Sequence, residues 1–399
     1  MTTRSTRDDP QRPSTPFGHD ALDVLVIGAG QAGLAIGYHL RRAGLRFLIV
    51  DAATELGSSW RSRWDSLRLF TPAQYDGLPG MPFPARTDTY PTRTQVADYL
   101  TAYAARFELP VLLGTPVTRL EREPGDDGDG FIAHTLQGLL HARQVVVATG
   151  PFQTPVIPAV SRGLGSEVTQ LHSAEYRNPA QIRPGRVVVV GAGNSGRQIA
   201  LELASSHTGD PSDSRSVDYG VTLAVGTEEP ELPQRILGRD LFWWLTKTRL
   251  LAKTADSRLA RRMRARGDLV IGSPMKQLLT VGVDIRPRLT AANCDTVTFA
   301  DHTETRPTTI IWATGFRSDY SWIDIDGAVT ENGVVHDRGI SSAPGLSFIG
   351  LPWQHTRGSA LLGFVKDDAA WLAERITARA VGSPASGAAA AAPSVVEGA

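Results

Sequence analysis

Residues 187–196 read VVVVGAGNSG. Four β-branched residues run directly into Gly191, Gly193 and Gly196, spaced G-x-G-x-x-G. A short apolar run of this kind predicts a buried strand, and the glycines after it predict a tight turn that opens a helix. Such a turn offers unpaired backbone N–H groups and the positive end of a helix dipole to a pyrophosphate. The same pattern stands upstream in DVLVIGAGQAG, Asp23 to Gly33, where Gly28, Gly30 and Gly33 take the same places. Two fingers in a chain of 399 residues predict two nucleotide-binding units of α/β type.

Working outward, the first finger follows a strand at Val24–Ile27 and opens a helix that runs to about Ala43. LRFLIVDA then reads as a second strand ending at Asp51, about 20 residues on, where an acid grips ribose hydroxyls. QVVVATG (Gln144–Gly150) is an apolar strand closed by a small-residue turn. A stretch with prolines at 151, 155, 158, 179 and 184 reads as a linker. The second unit starts at Arg186, with a helix to about Ser205, a polar loop HTGDPSDSRS and a strand at Val221–Val225. No acid closes that strand. Gly226 and Thr227 follow it, then Glu228 and Glu229, with Arg235 and Arg239 further along and able to fold back. An acid there would favour NADH and an arginine NADPH, so the residues leave both open.

TTIIWATGF (Thr308–Phe316) repeats the strand-plus-ATG pattern, GLSFIGLP (Gly345–Pro352) gives a last strand, and Ser359–Ala380 a closing helix. The expected fold is α/β, with two Rossmann-like dinucleotide-binding domains. The NAD(P)-binding domain, 186–307, is inserted into a discontinuous FAD-binding domain, 21–185 and 308–381, which includes the linker 151–185. Polar and low-complexity tails are expected to be disordered at 1–20 and 382–399.

Composition narrows the function. The 41 basic and 41 acidic residues cancel, so global charge draws the chain toward neither nucleic acid nor an acidic membrane. No apolar run is long enough to span a bilayer, and the N-terminal tail lacks the apolar centre of a secretory signal. A cytoplasmic location is expected. Two fingers suggest FAD on the first and a nicotinamide cofactor on the second, with hydride passing from nicotinamide to flavin. Cys294 is the only cysteine, which excludes an intrachain disulfide and a thiol relay. Oxygen, a soluble electron-transfer partner or a quinone remain as acceptors. Three readings follow: a monooxygenase, a reductase serving a partner protein or quinone, and a redox-sensing flavoprotein linked to transport. The basic, aromatic stretch Leu232–Arg266, with FWWL at 242–245, reads as a helical lid over a substrate channel or as an interfacial helix.

Between the fingers stands HSAEY, His172 to Tyr176. With GSSW (Gly57–Trp60), SLRLFTPAQYDGLPGMPFP (Ser66–Pro84), YPTRTQVADYL (Tyr90–Leu100), ATGF (Ala313–Phe316) and RGSALLGF (Arg357–Phe364), it gives the chain its resemblance. From Asp23 to Ile376 the sequence resembles the class B flavin-dependent monooxygenases, nearest the flavin-containing and YUCCA-type branch and its bacterial relatives. The family's linker usually reads F-x-G-x-x-x-H-x-x-x-Y or W; here Ser166 and Val168 take the Phe and Gly positions. Relatives often carry a base just after the second unit's strand, where this chain has Gly226.

The resemblance implies FAD and NADP, with NADPH preferred, and a small organic substrate that receives one oxygen atom of O2 through a flavin C4a-(hydro)peroxide. Most of the chemistry then lies on the flavin, with His172 and Tyr176 as linker residues that set geometry and position the cofactors. Cofactor-binding residues implied on the FAD side are Gly28, Ala29, Gly30, Gln31, Gly33, Asp51, Trp60 beside the isoalloxazine, Val117 along the adenine, Ala148 and Gly150. Gln354, His355 and the segment to Leu362, including Leu361, border the ring from the C-terminal side. Gly191, Gly193, Asn194, Ser195 and Gly196 hold the nicotinamide nucleotide. Arg61 and Arg63 either meet phosphate or nicotinamide or are surface charge, and no metal is expected.

Overall fold

A computed structural model describes residues 21–124, 130–206, 220–267 and 269–382. The expected tails, apart from Gly382, and the polar loop 207–216 lie outside these residues.

Two parallel sheets form the frame, and they share one layout. In the first, the finger strand Leu22–Ile27 lies between Gly138–Val147 and Phe47–Val50, with Leu346–Phe348 and Val111–Leu112 beyond them on either side. In the second, the finger strand Val187–Val190 lies between Thr309–Trp312 and Val221–Val225, with Thr169–His172 and Asp284–Pro287 outside. These strands read as continuous β-branched runs because parallel strands covered on both faces have no polar side. Val24 to Val26 and Val187 to Val189 are wholly buried. An antiparallel meander extends the first sheet through Val117–Arg122, Phe131–Thr135 and the start of Gly138–Val147.

Two expectations need correction. Thr309–Trp312 does not return the chain to the first unit at 308; it pairs with Val187–Val190 inside the second sheet. The stretch 151–185 is not only a linker, since Thr169–His172 is the second sheet's edge strand. Each ATG strand belongs beside its own finger for a steric reason: Gly28 presses on the carbonyl of Ala148, and Gly191 on that of Ala313. The second sheet therefore draws strands from 169 to 312. The chain rejoins the first sheet at Ile323–Asp324, which pairs with Leu120–Glu121, and at Leu346–Phe348.

The helices are amphipathic and bury one face. Gln31–Arg42 turns Leu34, Ile36 and Leu40 inward and packs on the closing helix Val365–Gly382, which starts later than Ser359 because 359–364 forms turns. Asn194–Ser205 buries Ile199, Ala200 and Leu203 against the second sheet.

Candidate dinucleotide sites and their junction

The two fingers have nearly the same backbone. Gly28 sits at φ +112° and Gly191 at +111°, a region L side chains rarely adopt. Gly33 and Gly196 pack so closely that a Cβ on either would stand 1.8 Å from the carbonyl oxygen of Gly28 or Gly191. Gly30 and Gly193 are helix N-caps without a side-chain cap, and nothing lies within 4 Å of where their Cβ would be. Each finger thus leaves a helix N-terminus uncapped and open, which fits a pyrophosphate.

Around the first finger the structure brings the expected residues together. Asp51 accepts hydrogen bonds from the N–H of Ala29 (2.6 Å) and of Ala53 (2.8 Å), so its carboxylate stands at the finger's mouth. A cavity of about 220 Å³ is walled by Gly28, Asp51, Thr115, Val117, Thr149 and Trp322. This pocket fits the adenosine end of a dinucleotide. Sequence reasoning missed Trp322, which reaches it from beyond the second sheet. The Gln31 amide donates to the Ala360 carbonyl (2.9 Å), bringing 358–362 beside the finger. Trp60 packs half-buried against the main core, while Gln354 is 5 % exposed and engages the backbone of Leu351 and Phe348.

Around the second finger, Asn194 donates to the Leu269 carbonyl and accepts from the Ile271 N–H, both at 3.0 Å. Its side chain joins the finger to the base of the 231–271 insertion. Arg197 does the same through Ala192, Glu231 and the Ser273 carbonyl. Arg235 and Arg239 do not fold back to the strand end. Arg235 pairs with Asp88 at 3.4 Å and Arg239 lies over Trp243.

Both ring nitrogens of His172 are committed. Nε2 donates to the Gly315 carbonyl (3.0 Å) and Nδ1 accepts from the Ala174 N–H (3.1 Å). This fixes a neutral tautomer, and burial lowers the pKa in the same sense. No nitrogen lone pair is left to take a proton. The Tyr176 hydroxyl donates to Glu202 (2.8 Å), whose pKa burial raises.

The ends of the two sheets meet at Arg63. Its guanidinium lies over Phe152 (5.5 Å) and Phe316 (5.0 Å), which follow the first and second ATG turns. The Arg63 guanidinium has no ion pair or hydrogen bond among the described residues, and desolvation lowers its pKa. Arg61 differs: it reaches Asp98 at 2.8 Å and Glu55 at 3.6 Å, as a surface arginine does.

The insertion packs as a lid on Phe70, Tyr75, Leu361 and Phe364. Phe242, on the helix Leu241–Lys247, is buried among Phe70, Tyr75 and Phe364, with ring centroids 6.0 to 6.4 Å apart. Asp240 caps that helix through the Phe242 N–H and also accepts from Tyr90 and Gln234, both at 2.8 Å. Arginines 258, 261, 262, 264 and 266 are exposed. No described helix is long and apolar enough to cross a membrane. Beneath the lid, Asp76 is wholly buried, accepts from the Thr71 hydroxyl (2.5 Å), and has a second oxygen with no partner among the described residues. Burial pushes its pKa up to about 7. The described residues contain no metal-ligand cluster.

Two dinucleotide fingers facing one junction, with the lone Cys294 exposed, define a flavoprotein oxidoreductase without a thiol relay. Residues 25–209 match the family profile described as pyridine nucleotide-disulphide oxidoreductase. The chain is 44% identical over 353 residues to an uncharacterized CzcO-like oxidoreductase of Geobacillus kaustophilus, covering 88% of this chain and 97% of that protein. It is 29% identical to the indole-3-pyruvate monooxygenase YUCCA8 of Oryza sativa, with 85% of each covered. A solved flavin-containing monooxygenase from Stenotrophomonas maltophilia aligns with TM-score 0.72 and 30% identity, over 90% of this chain and 99% of that one. The chain belongs to the class B flavin-dependent monooxygenase family.

Proposed function

We propose that this chain binds FAD on the first finger and NADPH on the second, and inserts one oxygen atom of O2 into a small organic substrate. The observation that carries the reading is the junction. Residues following both ATG turns converge on Arg63, and the chain's single cysteine, Cys294, has no second thiol with which to form an electron relay.

Bound FAD supplies hydride acceptance and oxygen activation; the chain's residues bind, orient and exclude water. First-turn N–H groups of Gln31–Arg42 hold the FAD pyrophosphate, Asp51 accepts from ribose hydroxyls, and Thr115, Val117 and Trp322 enclose the adenine. Trp60 and the segment 358–362 border the flavin ring. Asn194 and the second finger hold the nicotinamide nucleotide. His172 and Tyr176 act through geometry: one holds the second ATG turn, the other the helix Asn194–Ser205. Phe242, packed against Phe70, Tyr75 and Phe364, would shield the segment beside the flavin ring from water, which would suppress release of hydrogen peroxide. Substrates in reach of this chemistry are soft nitrogen or sulfur nucleophiles and carbonyl compounds.

The test is NADPH oxidation under ¹⁸O2 with a panel of amine, sulfide and ketone probes. Label in an organic product is the expected result. Recovery of all consumed oxygen as hydrogen peroxide across the panel, with rapid turnover on a quinone, would favour the reductase.

A further inference from the structure

Because the two sheets share one layout, a position in one has a counterpart in the other. Asp51 follows the strand next to the first finger, and the outer strand beyond it leads to Thr115 and Val117, which wall the same cavity. In the second sheet the counterpart of Asp51 by register is Val225, since Ile27 pairs with Val50 and Val190 with Ala224; Gly226 comes one residue further, and the outer strand Asp284–Pro287 leads directly to Arg288. Val225 pairs with Pro287, so Gly226 and Arg288 leave the sheet side by side at its carboxyl end.

What stands there is a cation. Arg288 donates to the Gly226 carbonyl at 2.8 Å, and a Cβ on Gly226 would lie 3.4 Å from the guanidinium carbon. Where the first unit's strand ends on the carboxylate of Asp51, the second ends on Val225 and Gly226, with a guanidinium lying against Gly226. The backbone carbonyl of Arg288 is itself held by the Ala300 N–H at 2.8 Å. The side chain is exposed and has no carboxylate partner among the described residues.

Neighbouring charges are otherwise engaged. Arg286 is paired with Asp284 at 2.9 Å and lies 3.8 Å from Asp301. Glu229 is turned toward Gly267. Arg235 and Arg239 sit on the lid. Glu228 is exposed and makes no ion pair or side-chain hydrogen bond among the described residues.

We propose that Arg288 is the receptor for the ribose 2′-phosphate at the second site and sets its preference for NADPH over NADH. An arginine fork binds a phosphate through two parallel hydrogen bonds, and an acid at this place would repel it. Arg288 comes 62 residues after Gly226, so a base is supplied from the neighbouring strand where the strand end itself has only glycine. The assignment rests on reading the second finger as a nicotinamide dinucleotide site.

Calorimetric titration of the FAD-loaded protein with NADP⁺, NAD⁺, 2′,5′-ADP and 5′-AMP tests it. In Arg288→Ala, the Kd for NADP⁺ and 2′,5′-ADP rises about 10- to 100-fold, while NAD⁺ and 5′-AMP change less than about 2-fold. Arg288→Lys keeps part of the difference because it keeps the charge and loses the fork. Gly226→Asp turns the preference toward NAD⁺ by placing a carboxylate against the guanidinium. FAD content and thermal midpoint stay at the wild-type level in Arg288→Ala, since the side chain is exposed. Equal losses for NADP⁺ and NAD⁺, or no loss, overturn the proposal. So does a wild type that binds NAD⁺ the more tightly. A wild type that binds none of the four nucleotides sinks the dinucleotide reading itself, a different and recognisable failure.

Discussion

The first and second fingers have almost identical backbones and different surroundings. Each places glycine near φ +110°, presses a second glycine onto the turn, and leaves the helix start uncapped. At the ribose end they diverge. The first offers a carboxylate fixed by two backbone N–H groups; the second offers a glycine with a guanidinium over it. Glycine geometry thus makes a generic pyrophosphate site, and selectivity comes from a few side chains outside the motif.

The most drastic way to separate the two sites is to fill them. Gly33→Val puts a branched side chain where even a Cβ lies 1.8 Å from backbone oxygen, at the finger of the FAD unit. We expect no soluble FAD-loaded protein, read as flavin absorbance per mole of protein. Gly196→Val makes the same clash in the second unit and should leave flavin bound while NADP⁺ binding falls more than about 100-fold, matching steric costs above ~3 kcal/mol. If both variants lost FAD alike, the units would not be energetically separable.

The next largest effect concerns charge buried on the first side. Asp76 is held neutral by burial, with its folded pKa raised from 3.8 to about 7. Below about pH 3.8 the folded and unfolded states are both protonated and the contribution is fully present. As pH rises, the unfolded chain ionises first, and stability falls until the folded carboxyl titrates near 7. Between pH 4 and 8 the loss amounts to up to ~4 kcal/mol. Asp76→Asn should flatten that slope in urea unfolding followed across pH. A slope unchanged from wild type would remove Asp76 as its source.

Asp51→Asn is milder. It keeps an acceptor for the finger's N–H groups but loses the charge, so FAD affinity should fall about 10- to 100-fold, as for charged hydrogen bonds worth ~1.5–3 kcal/mol. NADP⁺ affinity should be unchanged. Least of all, Tyr176→Phe removes one hydroxyl bond to Glu202 and should cost about 1 kcal/mol in unfolding free energy with both cofactors retained.

The parts legible in the sequence were those fixed by local sterics. Gly28, Gly191 and their partner glycines announce the fingers because no other residue fits, and Asp51 follows at the distance one crossover helix requires. Strand membership was harder to read. Thr309–Trp312 and Gln144–Val147 carry the same apolar run and the same ATG, so nothing in the residues says which sheet each joins. Thr169–His172 was hidden among prolines because an edge strand needs partners on only one side. Trp322 and Arg288 escaped for a related reason: each reaches its pocket from a strand far along the chain, and pairing between distant strands leaves no local signature. Asp76 had no signal in the sequence, because its burial depends on Gly363, far along the chain, packing against the backbone of Tyr75 and Asp76.

Arg63 carries one more consequence. A hydrogen bond between the two units would have a direction, and turning one unit against the other would break it. The attraction of a guanidinium for a ring face has little preference for rotation about the ring normal. Phe152 and Phe316 can therefore swivel across the same cation while contact is kept. The joint behaves as a bearing, and the friction against turning is set by the directional bonds that clamp the halves, among them Tyr90 to the Asp240 carboxylate and Gln234 to the Phe70 carbonyl.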